Sequence, residues 1–199
     1  MTAAAILFAC LPFLAQNSAA QPSGAPAPLS AYRKGSIDWS VIAGGALPVD
    51  LLDARSDRHL SLVAVELGRI MSGPKGPGPL AGQFEMLLQV MPIVVRGPQD
   101  FWGVGITPVF RWSFAGWTHV HPFAELAAGL MLIDWETPGD GRVARNFNEQ
   151  IGIGVRIGNP SGRALVAGYR FQHISNGSPD LPSPGVDTHQ MYIGVSIMR

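Results

Sequence analysis

From Ser36 onward the chain divides into segments of strand length rather than helix length, separated by clusters of glycine, proline and aspartate. Eight such segments are predicted: Ser36–Ala46, Arg58–Met71, Gln83–Val95, Phe101–Phe114, His119–Ile133, Asn146–Ile157, Ala164–Ser175 and Asp187–Ile197. A strand that crosses a bilayer needs about 9–11 residues, and each segment reaches that length. Glycines inside the segments, such as Gly152, Gly154, Gly168 and Gly194, disfavour helix and suit crowded, curved strands. Outside the N-terminus no apolar run is long enough to span a membrane as a helix.

Alternation within the segments predicts two-faced strands. In the fifth, Val120, Ala124, Leu126, Ala128, Leu130 and Leu132 share one face, while His119, His121 and Glu125 share the other with Phe123 and Met131. One apolar and one partly polar face is the pattern of a strand between lipid and lumen. A soluble lipocalin-type barrel shows the same alternation with its apolar face turned inward, so sequence alone leaves that alternative open. The reading adopted is an all-β, eight-stranded antiparallel up-and-down transmembrane β-barrel over residues 36–199. Residues 1–20 are read as a signal peptide, because Ala3 to Ala15 is apolar apart from Pro12 and Ser18-Ala19-Ala20 offers small residues for cleavage. Residues 21–35, rich in proline, alanine and serine, read as a flexible leader. Cys10 is the only cysteine and falls within the signal peptide, so the mature chain has no disulfide framework. Charged residues make up 14% of the chain and balance to zero, with no basic stripe to neutralise phosphates, which excludes a nucleic-acid partner. A hydrophobic fraction of 47% excludes a disordered chain.

The chemistry-bearing segment lies near the C-terminus: Tyr169-Arg170-Phe171-Gln172-His173-Ile174-Ser175-Asn176, then Pro184-Gly185-Val186-Asp187. Period-two parity places Tyr169, Phe171, His173 and Ser175 on one face of the seventh strand, and Asp187, His189, Met191 and Ile193 on one face of the eighth. Both are the apolar, lipid-facing sides of their strands, so His173, Ser175 and Asp187 are expected together on the outer wall beside the connecting loop. Residues two apart are separated by about 6.6 Å along a strand, within reach of a leaning imidazole. Such a trio suits a nucleophile, its base and the acid that orients the base. Asn176, or backbone amides at Gly177 and its neighbours, are candidate donors to an oxyanion. The bland alternative is a pair of interfacial polar residues at a strand end, which His-x-Ser alone does not exclude.

His173-x-Ser175-Asn176, a short glycine-containing loop and Pro184-Gly185-x-acid together resemble the active-site segment of the outer-membrane lipid A 3-O-deacylases, also called acyloxyacyl hydrolases. Asn146-Phe147-Asn148 through Gly154 and the Tyr169-Arg170-Phe171 lead-in resemble the family less specifically. The resemblance implies an eight-stranded barrel of the cell outer membrane that hydrolyses the 3-O-linked hydroxyacyl ester of lipid A, a component of lipopolysaccharide. It implies no metal and no other cofactor, with His173 as base, Ser175 as nucleophile and Asp187 as acid. This sequence departs from the pattern in three places. The family usually has glutamate where Asp187 stands, and asparagine where Ser183 stands, a position associated with oxyanion support. Outer-membrane barrels usually end in an aromatic residue, whereas this chain ends Met198-Arg199.

Two further sets of residues carry weaker signals. His119, His121 and Glu125 share a strand face, as metal ligands can, but a closed site needs a further convergent ligand. Trp39, Trp102, Trp112, Trp117 and Trp135 fit interfacial girdles, with ordinary packing an alternative for Trp102, Trp112 and Trp117. The rival functions are a non-catalytic membrane barrel and a soluble periplasmic lipid-binding barrel. Oligomeric state is not encoded legibly.

Overall fold

The computed structural model describes residues 32–51, 58–97, 100–115, 119–134, 145–158, 162–177 and 185–199. The signal peptide and most of the leader lie outside the described residues, as do Trp117, Trp135 and Ser183. Eight antiparallel strands form a closed barrel, each paired with its sequence neighbour and the last paired with the first. They are β1 (Ile37–Pro48), β2 (His59–Ile70), β3 (Gly82–Arg96), β4 (Phe101–Phe114), β5 (Val120–Ile133), β6 (Arg145–Gly158), β7 (Arg163–Ser175) and β8 (Val186–Met198). Every boundary falls within two residues of the expected segment. A single 3-10 turn, Gly78–Leu80, interrupts the glycine- and proline-rich connection between β2 and β3.

Closure explains how strands with so many exposed apolar groups avoid a free edge: β1 and β8 pair from Asp38↔Met198 to Pro48↔Thr188. The direction of the alternation decides between the two barrel types. Outward side chains are apolar and open, with Leu126 at 49%, Ile153 at 63% and Met191 at 71% exposure, whereas Glu66, Arg111, Arg156 and Gln89 point inward and have no accessible surface. An aqueous barrel has the opposite arrangement, so the wall is built for lipid. Trp102 opens the loop end of β4 and projects outward at 57% exposure, and Trp39 projects outward near the opposite end of β1 at 53%. They mark two interfacial levels, so Trp102 is not a packing residue.

An eight-stranded barrel is just wide enough to be filled by its own side chains, and here the filling has two halves. Toward the end where β1 starts and β8 stops, three arginines are caged by carboxylates. Arg111 Nη2 donates to Glu66 at 2.9 Å, and Arg111 Nε donates to Glu125 at 3.0 Å. Arg170 bridges Glu66 at 2.7 Å and Glu125 at 2.5 Å, and Arg156 bridges Asp38 at 2.5 Å and Glu85 at 3.1 Å. Buried charges are tolerated only when paired this closely. The rings of Phe123 and Tyr192 cover Arg111 and Arg170, each 4.4 Å from the guanidinium carbon. Tyr32, from the end of the leader, is buried at this mouth and stacks on His121 at 4.3 Å, with its phenol pushed up to about 12 mainly by desolvation. Toward the loop end the filling is apolar, with Ile42, Leu60, Leu62, Met91, Ile93, Met131 and Ile174 in one cluster. The filled lumen leaves the outer wall as the place for chemistry.

Candidate active site on the outer wall

Strand β7 sends Arg170 and Gln172 into the lumen, and the same pleat turns Tyr169, Phe171, His173 and Ser175 outward. The β7–β8 register sets His173 directly opposite Asp187. From there Asp187 Oδ1 accepts a hydrogen bond from His173 Nδ1 at 2.5 Å. Directly opposite the histidine, the aspartate reaches it without the extra methylene of the family's usual glutamate. Although it points outward, Asp187 has no accessible surface, while the His173 side chain is 22% exposed. The carboxylate is thus covered and the imidazole partly open.

Two glycines fix the ends of the connecting loop. Gly177 has φ +67°, and a Cβ there would come within 2.5 Å of the Phe147 ring. Gly185 has φ +66°, and a Cβ there would come within 2.8 Å of His173 Cε1. Both conformations are strained for other residues, and a side chain at position 185 would displace the imidazole itself.

The structure brings together two of the three expected site residues. Ser175, half-buried, follows His173 on the same face and lies opposite Phe147 of β6, but no hydrogen bond joins it to His173. Nδ1 is engaged by Asp187, so Nε2 is the nitrogen left for the serine. Catalytic hydrogen bonds are often open before substrate arrives and close in the complex. Asn176 is half-buried and Gly177 exposed at the strand end beside Ser175, while Ser183 lies outside the described residues.

Other polar groups on this wall escaped the reading of the sequence as site residues. Glu149 of β6 faces outward directly across from His173, on the side opposite Asp187. One step deeper, Tyr169 Oη and His189 Nδ1 are 2.6 Å apart. His189 also meets the edge of Phe171, with ring centroids 6.2 Å apart. The signal available was a lone carboxylate among Phe147, Ile151 and Ile153, on a row otherwise apolar beyond Arg145 at its loop end. His119, His121 and Glu125 do not converge: His119 contacts the Gly158 carbonyl, His121 stacks on Tyr32, and Glu125 is held by the two lumen arginines.

The family model for lipid A 3-O-deacylase (PagL) matches residues 78–196 of this chain. The chain belongs to the lipid A 3-O-deacylase family. The match spans β3 to β8 and therefore contains the whole His173–Asp187 region. Among solved structures, "Crystal structure of the outer membrane enzyme PagL" superposes with a TM-score of 0.57 at 19% identity, covering 79% of this chain and 97% of that one. At that identity the likeness is one of fold. No curated protein sequence matches. The protein is accordingly an outer-membrane barrel and an ester hydrolase of the lipid A 3-O-deacylase type.

Proposed function

We propose that Ser175, His173 and Asp187 are the catalytic triad that removes the 3-O-linked hydroxyacyl chain of lipid A. The observation that carries the assignment is the 2.5 Å His173–Asp187 contact on the lipid-facing wall, in line with an outward serine two residues along. His173 Nε2 takes the hydroxyl proton as Ser175 Oγ bonds to the ester carbonyl carbon, and Asp187 stabilises the resulting imidazolium. Collapse of the tetrahedral intermediate breaks the bond to the sugar oxygen, which leaves with the proton from His173. Water then attacks the acyl-serine, again losing its proton to His173, and the free acid departs as Ser175 is restored. Asn176, Ser183 and the backbone amide of Gly177 are the proposed oxyanion supports.

The position of the trio suits this substrate. β1 begins and β8 ends at one end of the barrel, and β7 ends and β8 begins at the other. With the start of β1 on the periplasmic side, the serine stands at the level of the outer leaflet, where acyl chains of lipopolysaccharide join their sugars. A nucleophile on the outer wall meets its lipid by lateral diffusion and needs no pocket through the lumen.

Mass spectrometry of lipid A from diderm cells expressing the protein tests the assignment, beside cells expressing Ser175→Ala. Loss of one hydroxyacyl mass is expected with the intact serine and not with the variant. Equal loss with both would remove Ser175 from the mechanism. Unchanged lipid A with folded wild-type protein in the outer membrane would remove the substrate.

A further inference from the structure

Resting on the esterase reading above, we infer that Arg145 forms a headgroup subsite that takes a phosphate of the glycolipid being hydrolysed. Arg145 is the first residue of β6 and lies exposed on its outward face. Phe147, the next outward residue of that strand, pairs directly with Ser175. Arg145 therefore stands two residues beyond the level of the nucleophile, about 7 Å further toward the loop end. That direction leads out of the hydrocarbon, from the acyl ester toward the sugar that carries it.

The chemistry of the substrate matches this placement. Lipid A is an acylated and phosphorylated sugar, and a phosphate on the ester-bearing ring lies only a few bonds from the ester. A long side chain rooted one outward step above Ser175 covers that separation. A guanidinium presents paired donors to phosphate oxygens, which a point charge does not.

The state of the other outward arginine at this rim sharpens the assignment. Arg96, at the loop end of β3, is paired with Asp100 in a short ion pair. Arg145 has no ion pair with any described residue. Its nearest outward carboxylate on β6 is Glu149, four residues deeper and beyond Phe147. Among the described outward residues of the rim, Arg96 is ion-paired far from the site and Arg145 stands beside it with no ion pair to a described carboxylate. A lipid whose phosphate meets Arg145 has its ester delivered to Ser175 and its chain laid along the β7–β8 wall.

The test uses the full chain in detergent, with Ser175→Ala as the background so that binding is read without turnover. The ligands are diphosphorylated lipid A and the same lipid A stripped of phosphate. Phosphorylated lipid A is expected to bind about tenfold more tightly, the scale of one hydrogen-bonded charge contact. Arg145→Gln abolishes that preference by weakening only the phosphorylated ligand, Arg145→Lys keeps part of it, and Arg96→Gln leaves it intact. Heat-modifiable gel mobility reports that each variant is folded. A preference that survives Arg145→Gln, or equal weakening of both lipids, overturns the inference. Displacement of lipid A by millimolar inorganic phosphate would identify a plain anion site and overturn the headgroup assignment. Because the readout is binding, a failure of the deacylase assignment leaves this result interpretable.

Discussion

The wall made by β3, β4 and β5 and the wall made by β6, β7 and β8 belong to one barrel and follow one pleat, yet their outward faces differ in kind. Inside its end residues, the first wall presents Leu88, Val90, Val94, Ile106, Phe110, Leu126 and Leu130, with no polar side chain among them. The second presents Glu149, Tyr169, His173, Ser175, Asp187 and His189 on three adjacent strands. Residence in the bilayer requires only the first kind of face, because an unpaired polar group in hydrocarbon carries a desolvation penalty. The second wall limits that penalty by pairing His173 with Asp187 and Tyr169 with His189. Ser175 remains uncommitted, and an uncommitted hydroxyl at acyl-chain depth is what attack on a lipid ester requires.

The largest effect that separates the walls is expected at Ser175. With Ser175→Ala, deacylation measured on purified lipid A falls by about 10⁴- to 10⁶-fold, the scale of removing a triad nucleophile, while the barrel stays folded. A residual rate within tenfold of wild type would return this wall to the status of decoration.

Asp187→Asn comes next. The asparagine fits the same covered space but presents its partner with the wrong hydrogen-bonding pattern, which misorients the imidazole and cannot stabilise its charge. A loss of about 10²- to 10⁴-fold in kcat is expected, with KM little changed. If kcat survives, Asp187 only packs against His173, and Glu149 on the opposite flank becomes the acid to test.

The first wall is probed by stability. Leu126 sits at the middle of β5, outward and between Phe110 and Ile151. Leu126→Arg is expected to lower the unfolding free energy of the barrel in lipid by about 2–4 kcal/mol, as measured by urea titration in vesicles. No change would mean that the apolar face is not in contact with acyl chains.

How much of this was legible before the structure depends on the range of the interaction. Strand number, strand ends and wall parity are local: Tyr169, His173 and Ser175 fall on one face because the pleat has period two. The meeting of His173 with Asp187 needed only a hairpin, since the residues are 14 apart and joined by one loop. Two features stayed hidden for the same reason. Arg156 meets Asp38 across 118 residues, and Ser196 meets Asp38 across 158, so the caged lumen appears only once the barrel closes. Glu149 comes beside His173 through the β6–β7 register, which alternation constrains to a parity but not to a partner.

The smallest expected effect concerns the pair below the proposed triad. Tyr169 Oη and His189 Nδ1 share one hydrogen bond of 2.6 Å, so each has a partner on a face that offers no water. Tyr169→Phe keeps the ring and its contact with the lipid wall but leaves His189 Nδ1 without its partner. The expected cost is about 1 kcal/mol in unfolding free energy, with deacylation kinetics within twofold of wild type, because neither residue touches Ser175 or His173 by hydrogen bond. A rate loss exceeding the stability loss would extend the working site one step deeper along β7 and β8, and would make the polar wall a track for the acyl chain rather than a triad with an adjacent repair.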